Sequence, residues 1–237
     1  MKLGNQEIEQ VGTNCRERYF KFVGHVLDDQ LNWEGHIEHV SKKLASANFG
    51  INTSKHFLPL HIRKTLYYSL FDSHLNFGNL LWGCAKPNKL KKIETLQISC
   101  IINVSLKKFN THSEPLFKSL CILKFSDKLS HSRALFMHKY RNNKLPASFS
   151  GIFLDTTTTD MMQSRNNDYN YQKIPAIKKR LENFPFKQMI FDWNSLSLEL
   201  KATADYVEFD STLKQKYLSH YSFETDCPFG CFVCNNN

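Results

Sequence analysis

Between residues 57 and 83 the chain reads FLPLHIRKTLYYSLFDSHLNFGNLLWG. After Pro59 neither Pro nor Gly occurs until Gly78. Ile62, Leu66, Leu70 and Phe77 fall on one helical stripe, and Tyr67, Phe71 and Leu75 cover the adjoining one. Apolar cover that wide predicts a core helix buried on more than one side.

The flanking segments repeat the three-to-four-residue spacing. In residues 33–56 it runs through Trp33, Ile37, Val40, Leu44, Ala47 and Ile51, with Asn32 as a candidate N-cap. Residues 88–104 carry Leu90, Ile93, Leu96, Cys100 and Ile101 behind Pro87. Ser113 can cap a short helix with Pro115 in its first turn. Ser126 and Asp127 can cap a longer one through Arg141, with Leu129, Phe136 and Tyr140 on one side and Asn142 and Asn143 ending it. Upstream, residues 8–11 and the β-rich run 19–27 read as a strand pair around a turn at Gly12, Thr13 and Asn14. Residues 147–173 are poor in apolar positions and read as a linker. Beyond it, residues 186–191 fit either a strand or a helix start. Residues 209–221 fit a helix with Leu213, Tyr217 and Leu218 inward.

Charge changes this picture by locating a surface. The net charge is +9, and residues 33–145 alone hold 18 Lys and Arg against 6 acids. A surplus confined to the helical block points to a polyanionic partner there, against the alternative of a solvated basic face with no ligand. Lys86, Lys89, Lys91 and Lys92 crowd the first turn of the helix at 88–104, where the macrodipole disfavours cations and favours anions. A bound phosphate would offset that cost, because a helix start also presents free N–H groups. Lys42, Lys43, Arg63, Lys64, Lys107 and Lys108 are further phosphate-contact candidates.

Other candidate chemistry is thinner. Asp28 and Asp29 are adjacent carboxylates, but a two-metal site needs more ligands than this segment offers. His36 and His39 lie one turn apart without an evident third ligand, so surface or capping roles are preferred to a metal. At the C-terminus, Cys231 and Cys234 have C-x-x-C spacing, Cys227 can add a thiolate, and His220 is the nearest nitrogen donor. These four could hold Zn²⁺. Cys15, Cys84, Cys100 and Cys121 stand singly, three of them in apolar surroundings where a reduced, buried thiol is the default. No signal-peptide or membrane-spanning pattern is present, which suggests a reducing, intracellular setting without a membrane. Neither G-x-x-x-x-G-K-[ST] nor G-x-S-x-G occurs. No small-molecule substrate is indicated.

Several of these segments resemble one family. L-Y-Y-S-L-F-x-S-H-L-x-F-G-x-x-x-W-G at 66–83 is similar to the region just downstream of the catalytic domain in reverse transcriptases of non-LTR (LINE-type, jockey-like) retrotransposons. F-K-F-V-G-H-V-L-D-D-Q-L-N-W at 20–33 resembles the last palm hairpin passing into the thumb, with Val23 where Leu is usual. T-H-x-x-P-L-F-K-x-L-x-I-L-K-x-S-D at 111–127, followed by L-F-M-x-K-Y and Leu145-Pro146, looks like the end of the thumb-side region. W-N-S-L at 193–196 resembles a later family motif, although Ser197 replaces its Pro. Such elements also often end in a Cys-rich knuckle.

The resemblance implies a mainly α fold. A helical thumb-like bundle at 33–146 follows a β-hairpin at 1–32. A linker at 147–173 leads to a small α+β segment at 174–221 and a Cys-rich tail at 222–237. It places Asp28 and Asp29 in the acidic turn after the catalytic region, so the catalytic palm motifs are absent from this chain. It further implies an RNA or RNA–DNA hybrid partner gripped through its phosphate backbone. Two other readings stay open: a helical protein-interaction module with an incidental basic face, and a degenerate transposon-derived reading frame without function.

Overall fold

A computed structural model describes residues 2–3, 6–7, 19–28, 30–154, 169–172 and 184–221. The chain is mainly helical, with a two-stranded antiparallel hairpin near its N-terminus. It divides into two compact units, residues 1–106 and 107–237, with the boundary inside the block 33–146.

In the first unit, β1 (Lys2–Leu3) and β2 (Gln6–Glu7) pair briefly. The hairpin follows as β3 (Tyr19–Phe22) and β4 (His25–Asp28), in register Tyr19↔Asp28 through Phe22↔His25. The run 19–27, which its composition suggests is one strand, therefore folds back at Val23 and Gly24. Both have positive φ, +44° and +81°, as a two-residue hairpin turn of matching twist requires.

Helix α1 (Glu34–Ser54) starts after a turn organised by one carboxylate. Asp28 Oδ1 accepts from the N–H groups of Gln30 and Asn32, both at 3.0 Å, and Oδ2 accepts from Trp33 N–H at 3.1 Å. Asn32 Oδ1 then accepts from Glu34 N–H at 3.0 Å, so Asn32 does supply a cap bond. Its register is shifted, however, because Trp33 at φ +66° is the residue flanking the helix.

Residues 57–83 are not one helix. They form α2 (Leu60–Leu66), a π-helical stretch at Tyr67–Asp72, α3 (Ser73–Asn76) and, after a break at Gly78 (φ +61°), α4 (Asn79–Trp82). Nor is this stretch buried all round. Tyr67, Phe71 and Leu75 are fully buried, while Ile62, Leu70 and Phe77 are exposed. Width of apolar pattern overstated burial here.

Helix α5 (Pro87–Ser105) packs along α1. Ile37, Val40, Leu44 and Ile51 of α1 and Ile93, Cys100, Ile101 and Val104 of α5 are core residues, joined by Trp82. Burying each such side chain contributes about 1.5–3 kcal/mol. Polar bonds fix the pairing. Asn48 Nδ2 donates to Ser99 Oγ, Asn103 Nδ2 to Asn48 Oδ1, and Lys55 Nζ to Asn103 Oδ1. Deeper, Gln97 Nε2 donates to the Tyr67 hydroxyl at 2.9 Å. Gln97 rather than Leu96 completes the buried stripe of α5.

The second unit contains α6 (Ser113–Leu120), α7 (Phe125–Arg141), α8 (Pro185–Asn194), α9 (Leu198–Ala202) and α10 (Tyr206–Ser219). Helix α7 packs on α8 and α10 over Phe125, Leu129, Met137, Trp193, Phe209 and Leu213. Two expected caps sit one turn position inside instead. Ser113 is the first residue of α6, and Ser126 and Asp127 lie in the first turn of α7. Asp127 instead accepts from the Tyr221 hydroxyl at 2.5 Å, anchoring the end of α10. Arg133 Nη1 bonds Asp192 Oδ2 at 3.0 Å, and His131 Nε2 meets Asp210 Oδ1 at 2.9 Å.

Residues 186–191, open between strand and helix from the sequence, are helical. The W-N-S-L motif is structural in this unit. Trp193 Nε1 donates to Tyr169 O, and the Asn194 side chain bonds both N–H and C=O of Tyr171. Two ends of the 147–173 stretch are thereby built into the unit, with Phe153 and Tyr171 buried. Residues 155–168 lie outside the described set.

Candidate nucleic-acid interface

The sequence candidates separate into exposed, engaged and buried groups. Lys42, Lys43, Lys86, Lys91 and Lys92 are exposed on the first unit. Lys42 also pairs with Glu38 one turn earlier at 3.0 Å. Glu38 is pulled below the usual carboxylate range, first by the hydrogen bond from Lys42, then by its charge and, more weakly, by Lys92. Glu38 thus lies within electrostatic reach of one lysine from α1 and one from the start of α5.

Lys89 is less available. Its Nζ lies 3.4 Å from Glu34 Oε2 and 3.3 Å from Asn32 Oδ1, tying the start of α5 to the start of α1. Arg63, which helical spacing places on the outward side, is buried. Its Nη1 donates to the carbonyls of Lys55 and Leu58, at 3.0 and 3.2 Å, where α1 has ended. A guanidinium committed to those carbonyls closes a turn and is turned away from solvent. Lys64 is half-buried. Lys107 and Lys108 are exposed, but they open the second unit.

The backbone at the start of α5 offers less to an anion than the sequence suggests. Pro87 has no N–H, and those of Lys89 and Leu90 point to Lys86 O at 2.9 and 3.4 Å. The exposed lysine charges, rather than a cradle of free N–H groups, therefore carry any phosphate affinity here.

Tertiary structure adds residues that periodicity does not identify. His39 is held below its ordinary value by partial burial, then by the charges of Lys43, Lys21 and Lys42. His74 is lowered by burial, Lys43 and His39. Lys21 of the hairpin and His74 of α3 thus join Lys43 in one positive neighbourhood. Alternation along 19–22 could have marked Lys21 as exposed, but nothing local to it announces α1 as its neighbour.

The carboxylate and metal candidates come out differently. Asp28 is buried and committed to three backbone N–H groups, while Asp29 lies outside the described residues. His36 accepts from Val26 N–H through Nδ1 at 3.3 Å, so the neutral ring carries its proton on Nε2 and has no lone pair left for a metal. Of the zinc set, Cys227, Cys231 and Cys234 lie outside the described residues. His220 is exposed, with Nδ1 2.6 Å from Lys216 O, an arrangement that leaves Nε2 as its free donor atom. Among the described residues no group of three or more His, Cys, Asp or Glu could hold a metal ion. Cys84 and Cys100 are buried, whereas Cys121, at φ +55° after α6, is exposed. No described helix is long and apolar enough to cross a membrane.

Comparison with protein families, curated proteins and solved structures finds no match to this chain.

Proposed function

We propose that the protein is a non-catalytic C-terminal part of a retrotransposon-type RNA-directed DNA polymerase, which grips RNA or an RNA–DNA hybrid through the phosphate backbone. The observation that carries this reading is the set of exposed lysines on the first unit: Lys42 and Lys43 on α1 with Lys86, Lys91 and Lys92 at the start of α5. The sequence resemblance supplies the chemical class of the partner. Lysines present point charges without base-reading geometry, so binding should discriminate little between sequences.

The test is binding of a labelled RNA–DNA hybrid across a salt series. Phosphate contacts release counterions, so log affinity falls linearly with log salt. A Lys86→Gln, Lys91→Gln, Lys92→Gln variant should weaken binding and flatten that slope by about one unit per lost contact. Parental affinity and slope in the triple variant would count against the reading.

A second reading draws on a different observation. Phe57, Leu60, Leu70, Phe77 and Leu81 are each exposed along 57–83, and exposed apolar side chains suit a protein partner. Binding to a protein that is insensitive to salt, together with no hybrid binding, would favour it.

A further inference from the structure

The hairpin meets the helices through a cluster of imidazoles that the phosphate-binding reading does not use. His36 is 1% exposed on α1, and its Nδ1 accepts from the Val26 N–H of β4. Its Nε2, which must carry the proton, is buried with no hydrogen-bond partner among the described residues. His25 of β4 stacks on Phe77 (centroids 4.9 Å apart) and lies 5.0 Å from the His36 ring, and its Nε2 is also buried without a partner among the described residues. Trp33 and Trp82 close the box, with ring centroids 6.1 and 5.9 Å from His36. Gly78 is required beside it, because a Cβ there would stand 1.9 Å from His25 Nε2.

This arrangement tolerates only a neutral His36. A second proton would sit on Nδ1 and face the Val26 N–H, turning an accepted hydrogen bond into two opposed donors. Among the described residues, every charged group that bears on it is a base. The groups bearing on His36 are His25 from β4 and His39 and Lys43 from α1. Around them stand Lys21 of β3, Lys42 and His74. The nearby carboxylate of Asp28 is already engaged by three N–H groups.

We propose that His36 is a pH-sensitive latch: neutral, it holds the β3–β4 hairpin against α1, and protonated, it releases the hairpin while the α1–α5 core stays folded. The hairpin then keeps only the His25–Phe77 stack and the bonds of the Asp28 carboxylate, while the residues of β3 are exposed throughout and an isolated two-stranded ribbon is marginal.

Burial, then the charge of His25, holds His36 at about 4, against 6.5 for a free imidazole. The released form therefore binds a proton below pH 6.5 and the latched form only below about 4. Latching is complete above pH 6.5 and weakens as pH falls toward 4. Linkage makes the opening constant rise roughly 60-fold between pH 7 and 4.5.

Amide hydrogen exchange measured by NMR, each rate divided by its intrinsic rate at that pH, reads this directly. Protection of the described hairpin amides in residues 19–28 should fall roughly 60-fold from pH 7 to 4.5, with α5 protection unchanged. In a His36→Asn variant, Oδ1 can take the Val26 N–H and cannot gain a proton, so hairpin protection should be nearly independent of pH. If that variant does not fold, the His36 ring titration of the parent decides: a midpoint near 4 that coincides with hairpin opening supports the latch. Equal loss in His36→Asn and parent, simultaneous loss from hairpin and α5, or an ordinary His36 midpoint near 6.5 would each overturn it.

Discussion

Asp28→Ala is the substitution for which the structure gives the largest specific consequence. One carboxylate satisfies three successive-turn N–H groups, of Gln30, Asn32 and Trp33. It does so across a turn in which Leu31 (φ +51°) and Trp33 (φ +66°) both hold the left-handed conformation. A hydrogen bond to a charged group contributes about 1.5–3 kcal/mol, but the three share one residue and Gln30 can turn to water, so they do not sum. Each non-glycine residue at positive φ stores roughly 1–3 kcal/mol and stays there only while its surroundings enforce it. Removing the carboxylate lets that turn relax. The expected loss is about 2–4 kcal/mol of local stability. At about 1.4 kcal/mol per tenfold, amides at the hairpin and the first turns of α1 should exchange roughly 30- to 1000-fold faster at pH 7. Asp28→Asn keeps one acceptor oxygen and should lose about half as much. Hydrogen–deuterium exchange followed by mass spectrometry resolves both segments. If Asp28→Ala leaves exchange there within threefold of the parent, the carboxylate is not the organiser of this turn.

Other consequences are narrower. Val23 sits at φ +44° in a two-residue turn that favours Asn-Gly, so Val23→Asn should stabilise the hairpin by about 1 kcal/mol, read as slower hairpin exchange. Gln97→Leu leaves the buried Tyr67 hydroxyl without its 2.9 Å donor and should cost about 1–3 kcal/mol in urea unfolding, whereas Gln97→Leu with Tyr67→Phe should recover much of it. Arg133→Ala strands Asp192 nearly buried and should destabilise the second unit by about 3–5 kcal/mol, seen as faster exchange in α7 and α8. Burial pushes the Cys100 thiol well above its ordinary value, so iodoacetamide at pH 8 should label Cys121 long before Cys84 or Cys100 in native protein, as peptide mapping can show. Equal labelling rates would contradict that burial.

Local pattern carried a long way into this protein. The stripes through Ile37, Val40, Leu44 and Ile51, and through Leu90, Ile93, Cys100 and Ile101, are core residues because helix geometry alone puts such positions on one face. The D-Y-V-E at 205–208 also announces a capped start, with Asp205 accepting from Glu208 N–H at 2.8 Å, although apolar spacing alone starts that helix at Phe209. The lysine surplus was visible as composition. What lay beyond the sequence was each group's third partner. Ile62 and Arg63 are neighbours in one helical turn, yet the Ile is exposed and the Arg buried, because carbonyls left over where α1 ends happen to lie beside Arg63. Lys89 looked like its neighbours Lys91 and Lys92 until α1 supplied Glu34 and the turn before it Asn32. His36 acquires its constraint from a β4 amide ten residues away and from rings contributed by β4 and α4. Periodicity fixes which face a side chain occupies on its own element; only packing decides what stands opposite that face, and it is the opposite group that makes a charge free, paired or unable to form.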